Sequence, residues 1–168
     1  MIVWFTADLH LGHANIIKYC KRPCEDVDEM DALILDGINK LVRKDDRLYV
    51  LGDFSLQGLD VIRDYRKRVV CKDVVCLRGN HDHRKAHTVL GDMPDLKTIK
   101  VEGQKIVLCH YAMKKWLASH HGVWHLFGHS HGTLPDPEPW SMDVGWDVWY
   151  APISFKEVAW RMEEIRDG

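Results

Sequence analysis

Val-Val-Cys-Leu-Arg-Gly-Asn-His-Asp (74–82) passes from an apolar run straight into an amide, an imidazole and a carboxylate. Short runs rich in Val, Ile and aromatics read as buried strands. In sheet-centred folds, ligands gather where strands end and loops leave the core. The same transition occurs elsewhere in the chain. Ile-Val-Trp-Phe-Thr (2–6) runs into Asp8 and His10, and Leu-Tyr-Val-Leu (48–51) into Gly52-Asp53. Ile-Val-Leu-Cys (106–109) ends on His110, and Val-Trp-His-Leu-Phe (123–127) on Gly128-His129-Ser130-His131. Repetition of this kind implies one polar site at the carboxyl ends of the strands.

Helical patterns lie between these runs. Asp26-x-x-Glu29 offers a capping box before Met30, Leu33, Ile34 and Ile38, read as one helical face. Leu59, Ile62 and Tyr65 mark a second amphipathic helix, and its basic run Arg63, Arg66, Lys67, Arg68 reads as a solvated face. Thr98–Val101, Glu102-Gly103 and Gln104–Leu108 form a hairpin pattern. Pro-Asp-Pro-Glu-Pro (135–139) is a rigid loop, and Ser154-x-x-Glu157 caps a last helix that points Val158, Met162 and Ile165 at the core. Early alternation of strands and helices, followed by hairpin-like strands, predicts an α/β chain, residues 1–168 as a single domain, with a two-sheet core and helices outside.

Composition narrows the class. A chain of 168 residues, 46% hydrophobic and 29% charged, has enough material for a core without disulfides. No segment reaches the roughly 18 continuous apolar residues of a membrane span, and a strand starting at Ile2 is expected to leave no room for a secretory leader. Five cysteines without framework spacing predict reduced thiols and a cytoplasmic setting. A formal charge of −2 argues against strong non-specific binding of nucleic acid. The anomaly is histidine, present 11 times and mostly within the runs above.

Asp8, His10, Asp53, Asn80, His110, His129 and His131 supply only nitrogen and oxygen donors, too many for one tetrahedral zinc. They suit two divalent ions that share a carboxylate, and imidazole–carboxylate mixtures accept Mn, Fe, Ni, Co or Zn. Asp8-x-His10 on extended backbone would send both side chains to one side, and His129-x-His131 repeats the spacing. Gly52, Gly79 and Gly128 would permit tight turns before the ligands. Two divalent ions against two carboxylates leave a centre of about +2, which attracts phosphate and can activate water for in-line displacement. His81, with Asp82 as its carboxylate partner, is expected to donate a proton to the leaving oxygen.

The set Asp8-x-His10, Gly52-Asp53, Gly79-Asn80-His81-Asp82, His110 and Gly128-His129-x-His131 resembles the signature of the calcineurin-like metallophosphoesterases, complete and in order. The resemblance implies a four-layer α/β/β/α sandwich with two packed mixed β-sheets and hydrolysis by metal-activated water. It further implies Asp8, His10, Asp53 and His131 around a first ion and Asp53, Asn80, His110 and His129 around a second, with Asp53 bridging. Gly52-Asp53 continues as Phe-Ser-Leu, unlike the Asp-Arg-Gly of the protein serine/threonine phosphatases, which argues against that activity. The opening Asp-x-His-x-Gly-His-x-Asn-Ile is similar to a group of small bacterial and phage phosphoesterases.

Around this set, Asn80, His13, Asn15 and Arg78 are candidate phosphate contacts, with helix capping the rival reading for His13 and Asn15 and a surface cation for Arg78. His120, His121 and His125 are expected to have no catalytic part, and Trp116, Trp124, Trp146, Trp149 and Trp160 to lie in the core. No segment is long enough for a separate lid, so an open groove is expected, which favours phosphodiesters, nucleotides or nucleic-acid termini first. Small-molecule monoesters are the alternative. A non-catalytic metal-binding module of the same fold is a further rival, which the intact ligand set disfavours. Neither a membrane nor an obligate protein partner is expected.

Overall fold

The computed structural model describes residues 1–134 and 138–167, with side chains through residue 164. Its strands are β1 (Val3–Thr6), β2 (Arg47–Val50), β3 (Asp73–Cys76), β4 (Leu96–Val101), β5 (Gln104–Cys109), β6 (Trp124–Phe127), β7 (Ser141–Asp143) and β8 (Ile153–Ser154). Its helices are α1 (Ala14–Cys20), α2 (Val27–Leu41), α3 (Leu59–Arg68), α4 (His87–Leu90), α5 (Trp146–Trp149) and α6 (Phe155–Asp167). Two mixed four-stranded sheets form, ordered β3-β2-β1-β8 and β4-β5-β6-β7. In the first, β1, β2 and β3 run parallel, with Val3 opposite Arg47 and Arg47 opposite Asp73, while β8 is antiparallel to β1. In the second, β4 and β5 make the expected hairpin, and β5, β6 and β7 run parallel.

Strands buried on both faces need apolar residues at consecutive positions, which is why the runs do not alternate with polar residues. Trp4, Leu48, Val50 and Cys76 face Met30, Ile34, Ile38 and Ile62 of the helices. Their neighbours Phe5, Tyr49, Leu51 and Leu77 face Ile106, Leu108, Trp124, Leu126 and Met142 of the other sheet. Helix α6 adds Val158 and Met162 to this second cluster; the side chain of Ile165 lies outside the described residues. Ahead of β6 a single 3-10 turn spans Ser119–His121, and Trp116 packs on His125 of β6. His125 is buried and satisfied: Nδ1 donates to the Val107 carbonyl and Nε2 accepts from the Met113 N–H.

Several local expectations hold and others shift. Asp26 caps α2 by accepting from the Glu29 N–H, but the Glu29 carboxylate reaches back to the N–H of Glu25 rather than of the cap. Leu33 is 45% exposed, because the buried stripe of α2 runs through Met30, Asp31, Ile34, Leu35 and Ile38, away from it. Ser154 and Glu157 cap α6 reciprocally. Trp160 is 54% exposed on α6 with the Arg161 guanidinium over its ring, so it is not a core residue. Of the predicted proline loop, 135–137 lie outside the described residues. Among the described residues, no helix is long and apolar enough to cross a membrane.

Candidate metal centre

Every predicted ligand follows the carboxyl end of a strand: Asp8 and His10 after β1, Asp53 after β2, Asn80 after β3, His110 after β5, and His129 and His131 after β6. The loops at this end are tied to one another, first within each sheet and then between the sheets. The Asp8 N–H donates to the Gly52 carbonyl, the His10 N–H to the Asp53 carbonyl, and the Gly128 N–H to the His110 carbonyl. The His129 N–H sits on both Asp8 carboxylate oxygens, at 3.0 and 2.9 Å. His110 Nδ1 donates to the Leu51 carbonyl at 2.8 Å, across the sandwich.

The ligand pairs do not converge by strand alternation. Asp8, His10, Asp53, His129 and His131 all have positive φ, between 47° and 67°, beyond the strand ends. Left-handed backbone at non-glycine residues costs about 1–3 kcal/mol each and concentrates at functional sites. The glycines also act differently from expectation at two positions. Gly79 and Gly128 lack positive φ; a Cβ on Gly79 would run into Asp53 Oδ1, and one on Gly128 would lie 2.7 Å from Asp8 Oδ2. Their task is close approach. Gly52, at φ +93°, does make a turn that side chains avoid.

Among the described residues, two groups of predicted ligands come within 4.8 Å of one another, Asp8, His10 and His131, and Asp8, Asp53 and His110, beside a third group of Cys20, His131 and Asp147. Asp53 touches both, with Oδ2 at 3.4 Å from His10 Nε2 and 3.5 Å from His110 Nε2. Asn80 Oδ1 is 2.9 Å from His110 Nε2. His129 stands at the exposed rim, its ring 5.1 Å from that of His110 and 4.6 Å from that of Tyr111.

Atoms in this cluster are left without partners. His10 Nε2 and Asp53 Oδ2 are buried and make no hydrogen bond. Because His110 Nδ1 must donate to a carbonyl, a neutral ring turns its Nε2 lone pair toward Asn80 Oδ1 and Asp53 Oδ2. Acceptors converging in this way can hold a cation, and the donor chemistry fits divalent ions. Burial raises Asp8 to about 7 against the pull of His131 and His110. Burial lowers His10 to about 3, outweighing Asp53. For His110, burial disfavours the charged ring, but the nearby carboxylates of Asp53 and Asp8 outweigh it and raise its pKa.

Asp82 is not the partner of His81. Its Oδ2 accepts from the N–H groups of Gly79 and Asp53 at 2.8 and 3.1 Å, and its Oδ1 from those of Phe54 and Ser55 at 2.9 and 3.3 Å. The carboxylate is consumed in joining two ligand loops. His81 is exposed; its backbone N–H donates to Asp53 Oδ1 at 2.8 Å, and its ring lies 5.3 Å from that of His10 and 6.1 Å from that of His13. His13 occupies the N-cap of α1 without a side-chain cap bond and turns Nδ1 to His10 Nδ1 at 3.5 Å. An open cleft of about 360 Å³ is lined by Ile16, Tyr19, Cys20, Asp53, His81, His129, Ser130, His131 and Thr133, a set that omits His13, Asn15, Arg78 and Asn80.

Two residues absent from the sequence reading complete the centre. Asp147 Oδ2 accepts from His131 Nδ1 at 2.7 Å, and the Arg22 guanidinium grips the same carboxylate through Nε and Nη2, both at 2.8 Å. Burial pushes Asp147 up, but the bonds from Arg22 and His131 prevail and hold it at about 2. These partners are 125 residues apart, so no local pattern announces them.

Paired sheets that deliver carboxylates, imidazoles and an amide to one edge define the metallophosphoesterase class. The chain belongs to the calcineurin-like phosphoesterase superfamily, whose domain model matches residues 1–139. An uncharacterized protein of Methanocaldococcus jannaschii is 31% identical over 161 residues, spanning 90% of this chain and 86% of that protein. The crystal structure of a protein of unknown function from Aquifex aeolicus superimposes with a TM-score of 0.73 at 23% identity, covering 95% of this chain and 98% of its own. That of a novel archaeal phosphodiesterase gives 0.51 at 15%, covering 86% and 82%, and shares the fold.

Proposed function

We propose that this protein is a phosphodiesterase acting on nucleotide-like substrates with two divalent ions, held by Asp8, His10, Asp53 and His131 and by Asp53, Asn80, His110 and His129. The observation that carries the reading is the pair of buried, partnerless acceptors His10 Nε2 and Asp53 Oδ2, set between the two donor groups. When bound, the ions supply Lewis acidity and an activated water, and neutralise charge on the phosphorane-like transition state. Manganese is the first choice in vitro, and the same donors accept Fe, Ni, Co or Zn.

The chain's own groups do the rest. His81, exposed at the cleft and fixed through its backbone to Asp53, donates a proton to the leaving oxygen. His13, beside His10 and His81, and Asn80, beside His110, reach toward the phosphate oxygens. Arg78 and Asn15 are the remaining candidate contacts for the anion. Tyr19 is 74% exposed on the cleft wall, an aromatic face on which an aryl group or nucleobase can stack. The open cleft leaves room for a substituent on each side of phosphorus. Free cysteines throughout support a reducing, cytoplasmic setting.

The test is the specificity constant for a bis-aryl phosphate against the matching aryl phosphate, using chelator-stripped protein with each divalent ion restored in turn. Diester preference that persists with nucleotides is expected. A monoester preference on both substrate pairs would replace the diester reading, and full turnover without metal would end the metal-centre reading.

A further inference from the structure

Arg22 is 4% exposed, and each of its N–H groups has an acceptor. Nε donates to Asp147 Oδ1, Nη2 to Asp147 Oδ2 and to the Asp8 carbonyl at 2.6 Å, and Nη1 to the Leu9 carbonyl at 2.8 Å and to Met30 Sδ at 3.4 Å. A guanidinium has five N–H donors, so none is spare. The residue reaches this position because α1 ends at Lys21, at φ 53°, and the Arg22 N–H closes the turn on the Ile17 carbonyl. From there one buried cation braces the left-handed turn carrying Asp8 and His10 and fixes the carboxylate that orients His131.

Among the described residues, no matching brace exists at the other group. His110 is oriented by the neutral Leu51 carbonyl rather than by a carboxylate outside the ligand set. Among the described residues, His131 is the only ligand histidine hydrogen-bonded to a carboxylate outside the ligand set. An ionised carboxylate on the far nitrogen fixes the tautomer and makes the imidazole a stronger donor to a metal than a carbonyl does, and losing such a partner typically weakens metal binding about 10–100-fold.

We propose that Arg22 and Asp147 are positioning residues that make the Asp8–His10–His131 group the tighter of the two ion sites. The proposal rests on the two-ion reading above but not on any substrate. Isothermal titration of chelator-stripped protein with Mn²⁺ tests it without turnover. The wild type should take up two ions in distinguishable steps. Asp147→Asn, close to isosteric, should weaken the tighter step about 10–100-fold and leave the other within about twofold. Arg22→Met with Asp147→Asn removes both charges together, leaves no lone ion buried, and should show the same selective loss.

Circular dichroism of each apoprotein accompanies the titration. Equal weakening of both steps, or of neither, overturns the proposal. So does failure of both variants to fold, which would make the pair a structural tie. A wild type that binds no ion, or only one, would instead strike at the two-ion reading itself.

Discussion

Asp82→Asn separates a scaffolding carboxylate from a catalytic one. Oδ2 takes the N–H groups of Asp53 and Gly79, from two loops, and Oδ1 those of Phe54 and Ser55, from the loop that carries Asp53. An amide has one acceptor oxygen, so in either orientation one pair of N–H groups meets an NH₂. An unsatisfied buried donor costs about 1–3 kcal/mol. Allowing for relaxation toward water at this half-buried residue, the variant should lose about 2–4 kcal/mol of stability. For a chain of this length that lowers Tm by about 5–15 °C. The assay is urea unfolding of the metal-free protein followed by circular dichroism, with metal affinity measured alongside. Both ion sites should weaken, because Asp53 is held from both sides of the joint. Apoprotein stability within about 0.5 kcal/mol of wild type, coupled with a fall in kcat alone, would refute the scaffolding role and return Asp82 to His81.

Asp53→Asn keeps an oxygen for the His81 N–H but removes the charge shared by the two donor groups, so both titration steps should weaken together and activity should vanish. Retention of one tight step would show that Asp53 serves a single ion. His81→Ala should lower turnover of an alkyl or ribose ester by about 10²–10⁴ and of a nitrophenyl ester far less, since an aryloxide leaves with little proton help. Equal losses on both esters, or a missing ion by metal analysis, would contradict the proton-donor assignment.

Much of this molecule is legible in the chain because strands buried on both faces must be continuous apolar runs, and polar groups that follow them must emerge at the sheet edge. That logic located Asp8, His10, Asp53, Asn80, His110, His129 and His131, the hairpin from β4 to β5, and the capped starts of α2 and α6. Short elements were beyond it. β7 and β8 hold three and two residues and exist through pairing with β6 and β1 rather than through any pattern of their own. Leu33 and Trp160 are apolar residues at helical spacing whose burial depends on which face finds a neighbour.

What the sequence alone determined, then, is which side chains gather at the sheet edge and in what order the strands present them. What only the tertiary structure decided is how those side chains are aimed. Positive φ at Asp8, His10, Asp53, His129 and His131 is imposed by hydrogen bonds between loops from different strands, against local preference. The partners that fix them are equally remote: Asp82 for the Asp53 loop, and Arg22 with Asp147 for Asp8 and His131. Identity and spacing are local and can be read along the chain, whereas a hydrogen bond spanning 125 residues exists only after the core has brought its two ends together.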